Sequence, residues 1–365
     1  MFDYAIIGAG MAGASLAAEL VRHEPALKIA LLEAEERPGY HATGRSAAFW
    51  EQCYGGPQIV PLTLASGPYL RHGGYLKQRG GLYIGKKEDG AAFDRFEARF
   101  RHSGASFERI GRTRLTDFVP GLREEWCEAV WQPDCADIDV AKLHQDYLAA
   151  ARKGGVDLRN RFRVEAIENT ADGWKLKDSR GSEIVASTIV NAAGAWADTV
   201  ATLAGVAPLG IAPLRRTVVQ VRTDPAPPAD LPLVLDINGS FYFKPESGRL
   251  WVSPHDEIPA EAGDAAPEEI DVATGVERVL NVVKWKLQGV ERRWAGLRSF
   301  APDRLPIYGP DPTRATFVWF AGQGGYGIQT APAAARLTAQ LLLGFPPDDM
   351  TKSLEPESYD PARFL

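Results

Sequence analysis

The sequence predicts an α/β fold in which a nucleotide-binding sheet is assembled from separate stretches of chain, with a mainly antiparallel α+β unit inserted between them. Three observations carry that expectation. A strand, a glycine turn and a helix open the chain, alternating apolar and polar residues fill its middle, and strand-then-helix texture returns near its end. Phe2 to Ile7 read as a buried strand, Gly8 to Gly13 as a tight turn, Ala14 to His23 as a helix and Lys28 to Glu33 as a second strand. Strands joined by a crossover helix pair in parallel, so a ligand crevice is expected at their carboxyl ends.

The second α/β passage starts at Asp139, which reads as the N-cap of a helix from Val140 to Lys153 stopped by Gly154 and Gly155. Arg163 to Glu168, Gly173 to Asp178 and Glu183 to Ala186 follow as a short antiparallel meander, and Thr188 to Ala192 as a separate buried strand. Arg216 to Pro254 alternates, with turn signals at Asn238-Gly239 and Ser247-Gly248, and reads as antiparallel sheet. Thr316 to Ala321 is a strand running into the glycine cluster Gly322 to Gly327 and then a helix from Ala331 to Leu343. The expected division is therefore 1–80, 140–212 and 296–365 for the nucleotide-binding domain, and 81–139 and 213–295 for the second.

Composition agrees with two joined domains, since 365 residues exceed the roughly 250–300 that one core serves. A hydrophobic content of 45% with 24% charged residues is ordinary for a globular chain. The net charge of −6, with no basic cluster, argues against nucleic-acid or anionic-membrane partners. Three cysteines without CxxC spacing suggest neither a disulfide framework nor a metal site. No basic leader precedes the first strand, and the longest apolar stretch, Ala5 to Leu20, is broken by glycines and too short to span a bilayer. A cytoplasmic location is expected.

The strongest local signal is Gly8-Ala9-Gly10-Met11-Ala12-Gly13 between a strand and a helix, with Glu33 ending the next strand. Gly8 permits the turn, Gly10 lets a pyrophosphate approach the backbone, Gly13 allows close packing, and Glu33 suits a ribose hydroxyl. FAD and NAD share this pattern. The small residues of Val190-Asn191-Ala192-Ala193-Gly194-Ala195-Trp196 suit a backbone passing close to a bulky cofactor. The amides of Gly322 to Gly327 suit the negative edge of a reduced flavin. No second such fingerprint occurs, so a tightly bound nicotinamide is not indicated.

Together these stretches resemble the D-amino-acid oxidase superfamily of FAD proteins, and within it the bacterial D-arginine dehydrogenases. The resemblance rests on PGYHATGRSAA (Pro38 to Ala48), YGGPQ (Tyr54 to Gln58), ADIDVAKLHQDYL (Ala136 to Leu148), VNAAGAWAD (Val190 to Asp198), LAGVAPLG (Leu203 to Gly210), SFYFKP (Ser240 to Pro245), WAGLRSFAPD (Trp294 to Asp303) and GQGGYGIQT (Gly322 to Thr330), nearly the full length. It implies a glutathione-reductase-type Rossmann FAD-binding domain with cofactor contacts from Gly8, Gly10, Gly13, Glu33, Arg45, Ser46, Ala47, Ala193, Gly194, Trp196, Gly324, Gly325, Tyr326, Gly327 and Ile328. It also implies that Arg216 and Arg298 hold a substrate carboxylate, that Tyr242 and Tyr54 line the pocket, and that Gln329 lies near flavin or substrate. Neither arginine has an obvious acidic mate in the sequence, so both are costly to desolvate without an anion. Relatives with covalent flavin carry a cysteine near the position of Gly296, so non-covalent FAD follows here.

Departures from the pattern bear on the substrate. Phe49 stands where the arginine dehydrogenases have a histidine, Glu51 where they have a threonine, and Gly81 where an acidic residue receives the guanidinium. Glu51 reads as a solvated loop residue and the substrate side chain as less cationic than arginine, the alternative being that Glu51 turns inward to replace the missing charge. The implied reaction passes a hydride from Cα of a D-amino acid to flavin N5, giving an imino acid that hydrolyses to a 2-oxo acid and ammonia. Tyr242 would orient the substrate, and the electrons would pass to a quinone or other acceptor, with oxygen an alternative. Two other readings are a flavin dehydrogenase or oxidase of a secondary amine or 2-hydroxy acid, and a non-catalytic FAD-binding protein. The joint presence of Arg216, Arg298 and Tyr242 counts against the last.

Overall fold

A computed structural model of the chain describes residues 1–365. Two large sheets share the chain. The first has eight strands and a parallel centre formed by Asp157–Arg159, Ile29–Leu32, Phe2–Ile7, Glu183–Asn191 and Arg314–Ala321. Helices Met11–His23, Val140–Lys153 and Ala331–Leu343 cover one face, where Leu16, Leu20, Leu143, Tyr147 and Leu337 are buried together. The other face packs Trp174, Phe317 and Trp319 against Ala197, Val200 and Ala201. Burial on both faces explains why the central strands read as continuous apolar runs.

Local chemistry accounts for the boundaries. The Asp139 carboxylate accepts from the Lys142 amide at 2.9 Å and caps the helix Val140–Lys153 as expected. The first helix starts at Met11 rather than Ala14, because Gly10 already has the extended backbone of an N-cap. The strands expected separately at Glu183 to Ala186 and Thr188 to Ala192 are one nine-residue strand, Glu183–Asn191. Its first half pairs antiparallel with Gly173–Asp178 and its last half parallel with Phe317 to Trp319. Two environments on one strand produced two textures in the sequence.

The second sheet has ten strands and is antiparallel except where Leu233–Asp236 runs parallel to Gly81–Lys86. Its backbone is the long pair Ala212–Asp224 and Lys286–Phe300. The latter strand runs unbroken through position 296, so this sheet reaches beyond the segment boundary expected there. Helix Glu269–Leu280 covers its apolar core, which includes Leu82, Phe243, Val252 and Val279. Gln323–Gly324 pairs with Ser299 and Phe300, tying the late glycine cluster to the end of the long strand. That pairing brings the ends of the two sheets together. No helix is long and apolar enough to cross a membrane.

Candidate active site

One long cavity runs between the sheets, and its first wall is the glycine turn. Gly8 has φ of +102°, and a Cβ there would stand 2.5 Å from the Ala192 carbonyl oxygen, so only glycine allows the first strand to turn against Glu183–Asn191. Gly10, Met11 and Ala12 line the cavity at the start of the helix. The Gly10 cap has no side chain to satisfy the first-turn amides, although Thr43 Oγ1 accepts from the Met11 amide at 2.9 Å. Glu33 lies at the cavity wall, accepting from the amides of Ala9 at 3.2 Å and Glu35 at 2.9 Å. Burial raises its pKa, while the two amides oppose the shift. Its carboxylate still has lone pairs to accept from a ribose.

His144, which sequence reasoning missed, donates from Nε2 to the Ala9 carbonyl at 2.9 Å and pins the turn to the helix Val140–Lys153. Burial lowers its pKa, so it is neutral. The cavity continues past Ala193, Gly194 and Trp196, then Arg45, Ser46 and Ala47, and reaches Gly324, Gly325, Gly327 and Ile328. Arg45 pairs with Asp264 and donates to the carbonyls of Ala265 at 3.0 Å and Ala295 at 3.2 Å, joining three segments over this stretch.

At the far end Arg216, Arg298 and Tyr242 line the same cavity. Arg216 opposes Gly296 and Arg298 opposes Leu214, so the two arginines are diagonal neighbours on one face of the long strand pair. Arg216 is 4% exposed; its Nε donates to the Asp256 carbonyl at 2.5 Å, while its Nη1 is buried without a partner. Burial, then the nearby Arg298 charge, pulls its pKa down to about 10, which leaves it cationic at neutral pH. Arg298 Nη1 donates to the Tyr54 hydroxyl at 2.5 Å. The Tyr242 hydroxyl is also buried and unpartnered, with Phe49 and His255 packed edge-on against its ring. Such orphaned groups cost on the order of 1–3 kcal/mol each, and a ligand carrying hydrogen-bonding atoms removes that cost.

His255, also missed, accounts for part of the local charge balance. Its Nδ1 lies 2.7 Å from the Gly239 carbonyl, so Nδ1–H donates a hydrogen bond to that oxygen. Burial, followed by the charges of Arg216 and Arg298, depresses its pKa to about 3 and keeps it neutral. Ala47, Phe49, Cys135, Val218 and Leu235 form an apolar wall around Tyr242.

The family pattern described as "FAD dependent oxidoreductase" (DAO) matches residues 3–341. The chain belongs to the DAO family of FAD-dependent oxidoreductases. It is 25% identical over 93% of its length to the FAD-dependent oxidoreductase domain-containing protein 1 of Bos taurus, covering 81% of that protein. It is 26% identical to the glycine oxidase of Geobacillus kaustophilus, with 93% of each chain covered. The crystal structure of that species' glycine oxidase superposes with a TM-score of 0.85 over 100% of this chain and 99% of that one, at 23% identity. The L-proline dehydrogenase of P. horikoshii does so with a TM-score of 0.85 over 100% and 97%, at 22% identity. At those identities the structural likeness speaks for the fold.

The residues present fit the cofactor of a DAO-family protein. Gly8 and Gly10 leave a cradle that a Cβ would crowd, Glu33 offers free lone pairs beside it, and the cavity is continuous from there to the glycine loop. Gly13 contributes by packing, because a side chain there would strike the Gly8 carbonyl. Gly296 is no attachment point but lines the cavity, its missing Cβ standing 3.3 Å from that of Arg45.

Five expectations need correction. Tyr54 does not line the cavity; it stands behind Arg298, its hydroxyl accepting from Nη1. Gln329 does not line the cavity; its amide accepts from the Glu51 amide at 3.2 Å and donates to the Glu51 carbonyl at 3.2 Å and to Thr63 Oγ1 at 2.8 Å. Tyr326 turns its side chain away, donating to the Arg304 carbonyl and packing edge-on against Tyr54 and Phe300. Glu51 is no solvated loop residue: it is fully buried, accepting from the Tyr83 hydroxyl and the Cys53 amide, both at 2.8 Å. Burial pushes its carboxyl up to about 7. Finally, Arg216 does have acidic neighbours, with Glu257 Oε1 3.3 Å from Nη2 and Asp256 Oδ1 3.8 Å from Nε. The sequence hides them because the loop that carries them folds back over the strand.

Proposed function

We propose that this FAD-dependent oxidoreductase oxidises the Cα–N bond of a small amino acid, in the D configuration, to an imino acid that hydrolyses to the 2-oxo acid and ammonia. The observation that carries this reading is the pair of same-face guanidinium groups beside two buried, unpartnered polar atoms, Arg216 Nη1 and Tyr242 Oη. A planar carboxylate accepts in parallel from Arg216 and Arg298, replacing water that the apolar wall excludes. FAD, when bound, accepts the hydride at N5. Tyr242 orients the substrate, and Gly325 leaves room for the Tyr54–Arg298 contact: a Cβ at that position would collide with the Tyr54 hydroxyl and stand 3.0 Å from Arg298 Nη1. Ala47 and Val218 line the cavity beside Tyr242 and favour an apolar side chain, and Glu51, held by Tyr83 and Cys53, supplies no carboxylate to it.

The test is anaerobic mixing of the FAD-loaded protein with D- and L-amino acids while following the flavin band at about 450 nm. Bleaching by apolar or aromatic D-amino acids is the expected result. Bleaching only by 2-hydroxy acids or secondary amines would overturn the amino-acid reading while keeping the carboxylate clamp.

A further inference from the structure

We propose that Glu257 is a specificity-determining residue: an internal carboxylate that competes with the substrate carboxylate for Arg216 and makes the site selective for monocarboxylates over dicarboxylates. The inference rests on the reading of Arg216 and Arg298 as a carboxylate clamp.

Three charges run from the cavity to the surface. Arg216 is almost wholly buried, the Glu257 side chain is 34% exposed and that of Arg304 is 52% exposed. Glu257 stands between the two arginines, with Oε1 3.3 Å from Arg216 Nη2 and both carboxylate oxygens 2.8 and 2.9 Å from Arg304 Nη2. It is thus held more closely on its outer side than on its inner side. The outer anchor is itself fixed, because the Arg304 guanidinium lies 3.9 Å over the Phe300 ring. Glu257 therefore accepts from Arg216 Nη2 while Nη1 stays free for a ligand.

The charge count decides what fits. Arg216 and Arg298 supply two positive charges, and Asp256 and Glu257 supply two negative ones. Asp256 is already spent on the Thr217 amide at 2.8 Å and its hydroxyl at 2.9 Å, so it cannot swing away. His255 is neutral. Arg304 leaves the set with one net positive charge, enough for one carboxylate. A second carboxylate on the same ligand would find no further cation in this set and would add its charge to that of Glu257, and like charges placed together disfavour the wrong partner.

The experiment titrates the FAD-loaded protein with acetate and with succinate at constant ionic strength, reading the perturbation of the flavin absorbance, in the wild type, Glu257→Gln, Arg304→Gln and the double variant. In Glu257→Gln, acetate should bind about fivefold tighter, the equivalent of a part-exposed ion pair released, and succinate should gain more than acetate. Arg304→Gln should weaken acetate in the wild-type background and leave it unchanged in the Glu257→Gln background, since Arg304 acts by holding Glu257 outward. Equal acetate binding by the wild type and Glu257→Gln, with an unchanged acetate-to-succinate ratio, overturns the inference and leaves the clamp standing. Failure of acetate to perturb any of the four proteins overturns the clamp itself, and the inference with it.

Discussion

Arg298 Nη1 donates to the hydroxyl of Tyr54 at 2.5 Å, and the Tyr54 ring is held edge-on between Phe49 and Tyr326. Tyr54 therefore aims a cation at the cavity without lining it. Tyr54→Phe keeps the ring and removes the acceptor, so Arg298 loses its orientation but not its charge. A charge-assisted bond of this kind contributes roughly 1.5–3 kcal/mol. Steady-state kinetics should show KM rising about tenfold or more, with a smaller change in kcat. An unchanged KM would mean that Arg298 is oriented by other contacts.

The cofactor end gives a second prediction. Gly8→Ala forces a positive φ on a residue with a Cβ and drives that Cβ at the Ala192 carbonyl. Strain of this kind costs roughly 1–3 kcal/mol, and it falls where the pyrophosphate must approach. The purified variant should hold FAD at least about tenfold more weakly. Flavin release on dilution, followed by fluorescence, measures it, and full retention would show that the turn relaxes.

Glu51 predicts a pH dependence of stability whose sign is set by its environment. Burial raises the folded pKa from 4.5 to about 7, so the folded protein holds a proton that the unfolded chain releases. The stabilising contribution is complete below about 4.5 and is lost as pH rises towards and through 7. Glu51→Gln removes this dependence, since glutamine bears no charge to desolvate. Relative to the wild type, its Tm should rise between pH 5 and pH 8, by an amount equivalent to at most about 3 kcal/mol. A Tm difference that stays flat over that interval would show that Glu51 is ionised in the fold at both pH values.

Tyr54 and Glu51 also show where sequence reasoning reaches its limit. The positive φ at Gly8, the cap at Asp139 and the helix Ala331–Leu343 are local facts of backbone conformation and near-neighbour hydrogen bonds, although the Ala192 carbonyl that also demands glycine at position 8 is not. Position along a motif likewise marks Gly324, Gly325 and Gly327 as cavity-lining, because backbone approach needs no side-chain direction. Direction is what the sequence withholds. Tyr326 sits between glycines that line the cavity yet points at the Arg304 carbonyl, and Glu51 was placed in solvent because its partner Tyr83 comes from a strand 32 residues away. His144 gave no signal beyond its place on the buried face of an amphipathic helix, since the carbonyl it meets belongs to Ala9. A histidine on the buried face of a helix that packs against a glycine turn is a pattern that could have found it.

Gln329 turns that limit into a last prediction. Its amide accepts one hydrogen bond and donates two, all buried, and it ties the Glu51 backbone and Thr63 to the turn that leads into helix Ala331–Leu343. Gln329→Met keeps the volume and removes all three, leaving the Glu51 amide and carbonyl and the Thr63 hydroxyl to find other partners. Each unsatisfied buried group costs on the order of 1–3 kcal/mol, so the variant should lose about 2–5 kcal/mol of stability. A contact to flavin or substrate would behave differently, shifting the flavin spectrum or kcat while leaving the unfolding midpoint near the wild-type value. Denaturant unfolding beside a flavin absorbance spectrum separates the two, and a large spectral shift with an unchanged midpoint would return Gln329 to the active site.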